Sequence, residues 1–181
     1  FRGMLIAQAN NFTVTKNTIH GVTLSSTSTA TGLQLYGTLT NGTVDGNVIS
    51  DVKNTNTGGY GSNGMLLGAT STAANIRISN NVIYDIASYG YSGGTGSADN
   101  GYGIIVTGGG GYNIWFNTVR LTTDQTSTSG ISAAININAA SGTIDLRDNI
   151  FANSQTIGTR YAIYSSAANT VFSDINYNDY W

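Results

Sequence analysis

The chain has 181 residues, a formal net charge of -2 and only 9% charged residues. All 9 acidic residues are Asp, Gly occurs 24 times, and Pro and Cys are absent. The lack of Cys excludes disulfides and thiolate chemistry, and the lack of any basic run argues against nucleic acid as a partner. No apolar run approaches the length of a membrane span. The length is sufficient for one domain with a sizeable core.

One phrase recurs along the chain: an apolar residue, an Asn three positions on, and a second apolar residue two positions further. In the segment NIRISNNVIYDI it consists of Ile78, Asn81 and Ile83, and the alternation before it predicts a strand. The six copies, of which the last is the weakest, contain Asn17, Asn47, Asn81, Asn117, Asn149 and Asn178. Successive copies are 29 to 36 residues apart, which indicates a repeat architecture.

A second phrase, a small residue followed by apolar-x-apolar, precedes each Asn phrase. It begins at Gly3, Gly32, Gly64, Gly103, Ala134 and Ala162. The distance from this phrase to the following Asn varies little, whereas the return segments differ in length and are rich in Gly, Ser, Thr and Asn. These segments, 25–31, 53–63, 87–100, 122–129 and 155–159, are predicted to be loops on one side of the fold.

Short strands without intervening helices, in register with a repeated Asn, predict an all-β, right-handed parallel β-helix of about six coils. A propeller blade would need four strands, a leucine-rich repeat would be shorter, and a sandwich would not keep one Asn in register. We expect residues 1–181 to form a single domain and to be a segment of a longer chain. The stacked Asn side chains should form a hydrogen-bonded ladder. Two fully buried columns should flank it: Val14, Val44, Ile78, Ile114 and Leu146; and Ile19, Ile49, Ile83, Val119 and Phe151.

Several stretches carry a resemblance to known proteins, among them NIWFNTVRL, TIDLRDNIFAN, YAIYSS and FSDINYNDYW. Together with the repeat phrase, they make the whole chain resemble the right-handed parallel β-helix repeat family, which includes pectate lyases, polygalacturonases and phage tailspikes. The C-terminal part resembles long surface proteins of Bacteroidota-type bacteria that a type 9 system secretes. This resemblance implies an extracellular or cell-surface location. The acid motifs of polygalacturonases do not occur here.

The strongest candidates for chemistry are Asp51 and Asp85, each four residues after a ladder Asn and therefore in adjacent coils. Together with Arg120 they could form an acid/base set or a Ca²⁺ site. We favour the alternative, in which both aspartates cap a bend through backbone amides. His20 has Ser50 and Asp51 as its nearest candidate partners. Tyr84 and Arg120 are predicted to form a surface cation–π pair.

Exposed aromatic residues suggest a binding function for carbohydrate or another partner. Trp115 falls at an outward strand position, and Tyr60, Tyr89 and Tyr91 lie in Gly-rich loops. The alternative is that the loop tyrosines fold back onto the coil wall. The outward positions of the other strand phrase, which are largely apolar, are Leu5, Gln34, Leu66, Ile105, Asn136 and Tyr164. Either the loops or another chain should cover this column.

The sequence therefore favours a non-catalytic, extracellular structural or adhesive segment of a bacterial surface protein or filament. A polysaccharide lyase or glycoside hydrolase of the β-helix superfamily and a carbohydrate-binding module stay open as alternatives. No cofactor is expected, with Ca²⁺ at Asp51 and Asp85 the one candidate. The expected partners are polysaccharides, other surface proteins and coils that stack end to end or flank this segment.

Overall fold

The computed structural model describes all 181 residues, which form three six-stranded parallel sheets. Each coil contributes one strand to each sheet. The first sheet contains β1 (Arg2–Ala7), β4 (Ala30–Gly37), β7 (Ser62–Ala69), β10 (Gly101–Gly108), β13 (Ile131–Ile137) and β16 (Thr159–Ser165). The second contains β2 (Thr13–Thr15), β5 (Gly42–Asp45), β8 (Ile76–Ser79), β11 (Tyr112–Trp115), β14 (Ile144–Arg147) and β17 (Phe172–Asn176). The third contains β3 (Thr18–Leu24), β6 (Val48–Asn54), β9 (Val82–Ala87), β12 (Thr118–Leu121), β15 (Ile150–Asn153) and β18 (Asp179–Tyr180). A single 3₁₀ turn, Asn169–Val171, precedes β17. The predicted parallel β-solenoid of about six coils is confirmed.

The core consists of columns of apolar side chains that stack from coil to coil. Ile78 pairs in register with Val44 and Ile114, and Ile83 pairs with Ile49 and Val119. All ten residues predicted for the two columns are buried, the most accessible being Ile19 at 6%. Each buried aliphatic side chain contributes about 1.5–3 kcal/mol relative to full exposure, so these columns are the main source of stability.

The bend between the second and third sheets has only two residues, and its geometry is the same in every coil. The first residue adopts a left-handed backbone, and the second is the ladder Asn. The residues at the first position are Lys16, Gly46, Asn80, Phe116, Asp148 and Tyr177, with φ between 53° and 65°. This corner turns the chain sharply and points the Asn side chain into the solenoid.

The bend between the first and second sheets is tightest in the fourth coil, where only residues 109–111 connect β10 to β11. Gly109 and Gly111 both have φ of 69°. A Cβ on Gly109 would lie 2.3 Å from the carbonyl oxygen of Ala69, so no larger residue fits this turn.

The variable segments all connect the third sheet to the first, so they lie on one side of the fold as predicted. The longest of them, residues 88–100 between β9 and β10, folds over the outer face of the first sheet. Two side chains on that face hold it: Asn136 donates to the Thr95 carbonyl at 2.8 Å and Asn63 to the Ser97 carbonyl at 2.9 Å. A loop of the same chain therefore covers part of the apolar outward column.

The two end coils are less buried than the four between them. In the first coil Met4 and Ile6 are only partly buried. In the last coil Tyr177 and Trp181 are 76% and 60% exposed. These residues have a stacking neighbour on one side only, which explains the difference in burial.

Candidate functional site

The six ladder asparagines form one continuous chain of side-chain hydrogen bonds. Asn81 shows the pattern: its Oδ1 accepts from the backbone N–H and the Nδ2 of Asn47, at 3.0 and 2.9 Å. Its Nδ2 donates to Asn117 Oδ1 at 2.9 Å and to the Val44 carbonyl at 3.0 Å. The ladder runs unbroken from Asn17 to Asn178. All the side-chain polar atoms of the interior asparagines are thus used in joining coils.

Asp51 and Asp85 lie side by side on the third sheet, with a lysine between them that the sequence interpretation overlooked. Lys53 Nζ lies 2.8 Å from Asp51 Oδ1 and 2.8 Å from Asp85 Oδ2. Thr123 Oγ1 from the next coil donates to Asp85 Oδ1 at 2.5 Å. One cation therefore bridges the two carboxylates, and the contacts join three coils.

The same two aspartates occupy a bend in the third sheet. Their φ angles are 53° and 56°, and Gly21 takes the equivalent position in the preceding coil with φ of 73°. Asp tolerates this left-handed conformation better than most non-glycine residues. The position matches the predicted bend, but the carboxylates bond Lys53 and Thr123 side chains rather than backbone amides.

His20 contacts both residues named as its candidate partners. His20 Nδ1 lies 3.1 Å from Ser50 Oγ, and Nε2 lies 3.8 Å from Asp51 Oδ2. The second distance exceeds a hydrogen bond, and Ser50 is only 3% exposed. The arrangement therefore orients the imidazole but gives a substrate no access to the serine hydroxyl.

Arg120 does not join this cluster. It lies in register beside Tyr84 on the outer face of the third sheet and forms no ion pair. The predicted cation–π pair between Arg120 and Tyr84 was wrong. The cation–π contact in this structure is that of Arg147, whose Cζ lies 5.4 Å from the Trp115 ring centroid. Register adjacency alone did not determine how the long Arg120 side chain is directed.

A second pair of stacked carboxylates lies on the second sheet, where Asp145 and Asp174 are register partners. Arg147 makes two hydrogen bonds of 2.6 Å to Asp145 and lies 3.8 Å from Asp174. Sequence reasoning missed this pair, although a signal was present. Both aspartates stand four positions before a ladder Asn, so a search of that column would have found them.

The four aspartates with perturbed pKa values all have them lowered. For Asp45 and Asp124, hydrogen bonds from Ser79 and Thr156 lower the pKa by favouring the ionised form. For Asp85 and Asp145, partial burial is the largest influence and alone would raise the pKa. The hydrogen bonds to these two carboxylates, chiefly from Lys53 and Arg147, outweigh that effect.

Trp115 lies on the outer face of the second sheet, at the position expected from the repeat. Its register partners are Ser79 and Arg147. Its ring forms one side of a shallow recess of 440 Å³ in which Arg77 and Asn113 also take part. This recess is the largest concave surface of the molecule.

The loop tyrosines form a separate surface at the corner between the third and first sheets. Tyr60 and Tyr91 share a recess of 290 Å³ with Asp99. Tyr91 is 48% exposed and leans on Gly59, where a Cβ would lie 2.4 Å from its ring. Tyr89 is half-buried, and its carbonyl accepts from the Ser127 N–H at 2.7 Å. Tyr91 thus lines this recess and Tyr89 does not, and neither lines the recess beside Trp115.

The outer face of the first sheet is partly closed by the 88–100 loop. Leu66 and Ile105 are 7% and 0% exposed, and with Tyr102 and Ala133 they form a small apolar cluster under the loop. Burial raises the pKa of the Tyr102 hydroxyl far above its usual value. Leu5, at the uncovered end of the same column, is 48% exposed. The central part of this face is therefore filled rather than open as a groove.

Nowhere do three or more His, Asp or Glu side chains cluster in a way that could hold a metal ion. No helix in the structure is long and apolar enough to cross a membrane. Comparison with protein-family models, with curated proteins and with solved structures finds no match.

Proposed function

We propose that this chain is a non-catalytic, extracellular structural and adhesive segment of a bacterial surface protein or filament. The proposal includes export of the protein by a type 9 secretion system of a Bacteroidota-type bacterium. Its proposed partners are polysaccharides, other surface proteins or flanking coils. The solenoid supplies length and rigidity, while the corner loops and the open sheet faces supply contact surface.

The observation that carries the proposal is the lysine between Asp51 and Asp85, at 2.8 Å from each carboxylate. A glycoside hydrolase needs one carboxylic acid with a raised pKa to protonate the leaving group. The pKa of Asp85 is shifted in the opposite direction, because the hydrogen bonds from Lys53 and Thr123 outweigh its partial burial. The pair is thus suited to joining coils and poorly suited to proton transfer.

The ladder supports the same role. A surface segment that transmits force between its ends requires strong coil-to-coil contacts. The continuous row of hydrogen bonds between Asn side chains provides such contacts from the first coil to the last. The parallel pairing in all three sheets adds to these contacts.

The test is to incubate the purified chain with a panel of neutral and acidic polysaccharides and to measure both retention and turnover. Reducing ends and the ultraviolet absorbance of unsaturated sugars report hydrolysis and elimination. We expect retention on at least one immobilised glycan with no product above the level of a heat-denatured sample. Product that disappears in Asp51→Asn or Asp85→Asn would establish an enzyme instead. Failure to adhere to any glycan, to other surface proteins or to itself would overturn the adhesive role.

A further inference from the structure

The recess on the second sheet is built from three adjacent coils and has a distinctive set of side chains. Its 440 Å³ lie among Asn41, Thr43, Asn75, Arg77, Asn113 and Trp115. This volume falls within the range of about 300–1,000 Å³ that is usual for small-molecule sites. The lining contains one aromatic ring, one cation, several neutral hydrogen-bonding groups and no carboxylate.

Trp115 is held in place from the side of the following coil. Arg147 lies over its ring with Cζ 5.4 Å from the centroid. Arg147 is itself fixed by two hydrogen bonds of 2.6 Å to Asp145. A restrained aromatic ring offers apolar contact area at a low cost in conformational entropy. Trp115 can therefore serve as a rigid platform for a flat, partly apolar ligand such as a sugar ring.

Arg77 is the charge in the recess that has no partner. It is exposed, and no carboxylate lies within ion-pair distance of its guanidinium. Its neighbours in the column, Thr43 and Asn113, are neutral. The nearby Asp45 already accepts from Ser79 Oγ at 2.7 Å and from Asn80 Nδ2. Asp45 stays ionised but lies outside the lining, in which Arg77 is the one charged residue, so an anionic group is favoured at Arg77 itself.

Amide side chains extend the recess along the solenoid axis. Asn75 Nδ2 donates to Asn41 Oδ1 at 2.8 Å, and Asn41 Nδ2 donates to Asn10 Oδ1 at 3.0 Å. Asn113 is half-buried and makes no side-chain hydrogen bond within the chain. Such groups match the hydroxyls of a sugar, which both donate and accept. Their row lies across successive coils, so a polymer can contact several of them.

From this geometry we infer that the recess binds an acidic sugar unit of a polysaccharide, with the sugar ring against Trp115 and its anionic group on Arg77. Hydroxyls of the same or adjoining units bond Asn113 and Asn75. The acidic group is a carboxylate or a sulfate, since either accepts two hydrogen bonds from a guanidinium. This inference deepens the proposed adhesive role and rests on it, because the recess offers binding groups and no catalytic pair.

Binding can be measured by titration calorimetry of the whole chain with three oligosaccharides of equal length. One is a carboxylated oligogalacturonate, one a sulfated carrageenan fragment that has no carboxylate, and one a neutral cello-oligosaccharide. We expect the acidic oligosaccharides to bind at least about tenfold tighter than the neutral one. The affinity for them should fall as salt is raised, because Arg77 is exposed. Tight binding of only one acidic probe identifies the anionic group.

Three variants and two matched controls assign the binding to this recess. Arg77→Gln should lower affinity for the acidic probes about ten- to hundredfold and leave the neutral probe unchanged. Trp115→Ala should weaken all three about tenfold, and Trp115→Phe should retain part of the affinity because a ring is kept. Arg160→Gln, an equal charge change at an exposed site on the first sheet, and Tyr84→Ala, an exposed ring on the third sheet, should bind as wild type.

The site is refuted if neutral and acidic probes bind equally, if Arg77→Gln behaves like Arg160→Gln, or if none of the probes binds. The failure of the site and the failure of the proposed function remain distinguishable. If substitutions at Arg77 and Trp115 leave adhesion unchanged, this recess is not the binding site, but the adhesive role still stands. If the chain releases product from any oligosaccharide, the proposal of a non-catalytic segment is refuted. Thermal melting of every variant ensures that only folded protein is compared.

Discussion

Replacing Asn81 by Ala tests how much the ladder stabilises the solenoid. Asn81 is fully buried and takes part in four side-chain hydrogen bonds. The substitution leaves the buried backbone N–H of Asn47 without its acceptor. An orphaned buried donor costs about 1–3 kcal/mol, and the lost bonds and the small cavity add to this cost. We expect the free energy of unfolding to fall by about 3–5 kcal/mol.

The matched control is the same substitution at the end of the ladder. Asn17 is half-exposed, and its side chain only donates, to Asn47 Oδ1 at 2.9 Å and to the Thr15 carbonyl at 3.1 Å. Asn47 Oδ1 keeps a partner in Asn17→Ala, because the backbone N–H of Asn17 also bonds it. No buried donor is orphaned, so the expected cost is about 1 kcal/mol.

The assay is urea unfolding followed by circular dichroism, with the free energy extrapolated to water. The reasoning requires the cost at position 81 to exceed the cost at position 17 by at least about 2 kcal/mol. Equal costs at the two positions would refute it. They would mean that backbone pairing and apolar stacking alone hold the coils together.

Three further predictions concern other parts of the coil. Lys53→Met should lower the free energy of unfolding by about 1–2 kcal/mol near neutral pH. Because the pKa of Asp85 lies below its usual 3.8, the ion pair's contribution to stability should fade as the pH falls through the folded-state pKa. Urea unfolding of both proteins at two pH values can check this. A cost that does not change with pH would show that the ion pair is not its source. Gly103→Ala should lower the melting temperature, because a Cβ there would lie 2.2 Å from Val119 Cγ1. The expected loss of unfolding free energy is about 1–3 kcal/mol. An unchanged melting temperature would contradict the tight packing around Gly103. Phe116→Asn should stabilise by about 0.5–1 kcal/mol in the same denaturation assay, since Phe116 is 57% exposed and has φ of 57°; a loss of stability would indicate that the exposed ring contributes contacts.

The ladder and the core could be predicted because they depend on a short, local pattern that repeats. A two-residue corner fixes the sequence separation between the strands on either side. The counterparts of Ile78, Asn81 and Ile83 must therefore occupy equivalent positions in every coil. The position of the variable loops followed from the same pattern, since the corner between the third and first sheets varies most in length. The left-handed residue before each Asn was not predicted, because Phe116 and Tyr177 do not favour that conformation by themselves.

The candidate site could be predicted only in part. The repeat placed Asp51 beside Asp85 and put Trp115 on an outer face, and both placements are confirmed. The repeat could not show that Lys53 lies between the two carboxylates or that Arg147 covers Trp115. Column positions define where a Cβ lies, whereas the direction of a long side chain depends on its surroundings in neighbouring coils.

The amino-acid sequence by itself determined the number of coils, the ladder and the buried columns. The tertiary structure decided which outer surfaces stay open: the 88–100 loop covers Leu66 and Ile105 on the first sheet, while the face around Trp115 stays accessible. The physical reason is that coil-to-coil stacking follows a fixed period along the chain. The path of a loop and the pairing of surface charges instead depend on contacts between residues that no period relates.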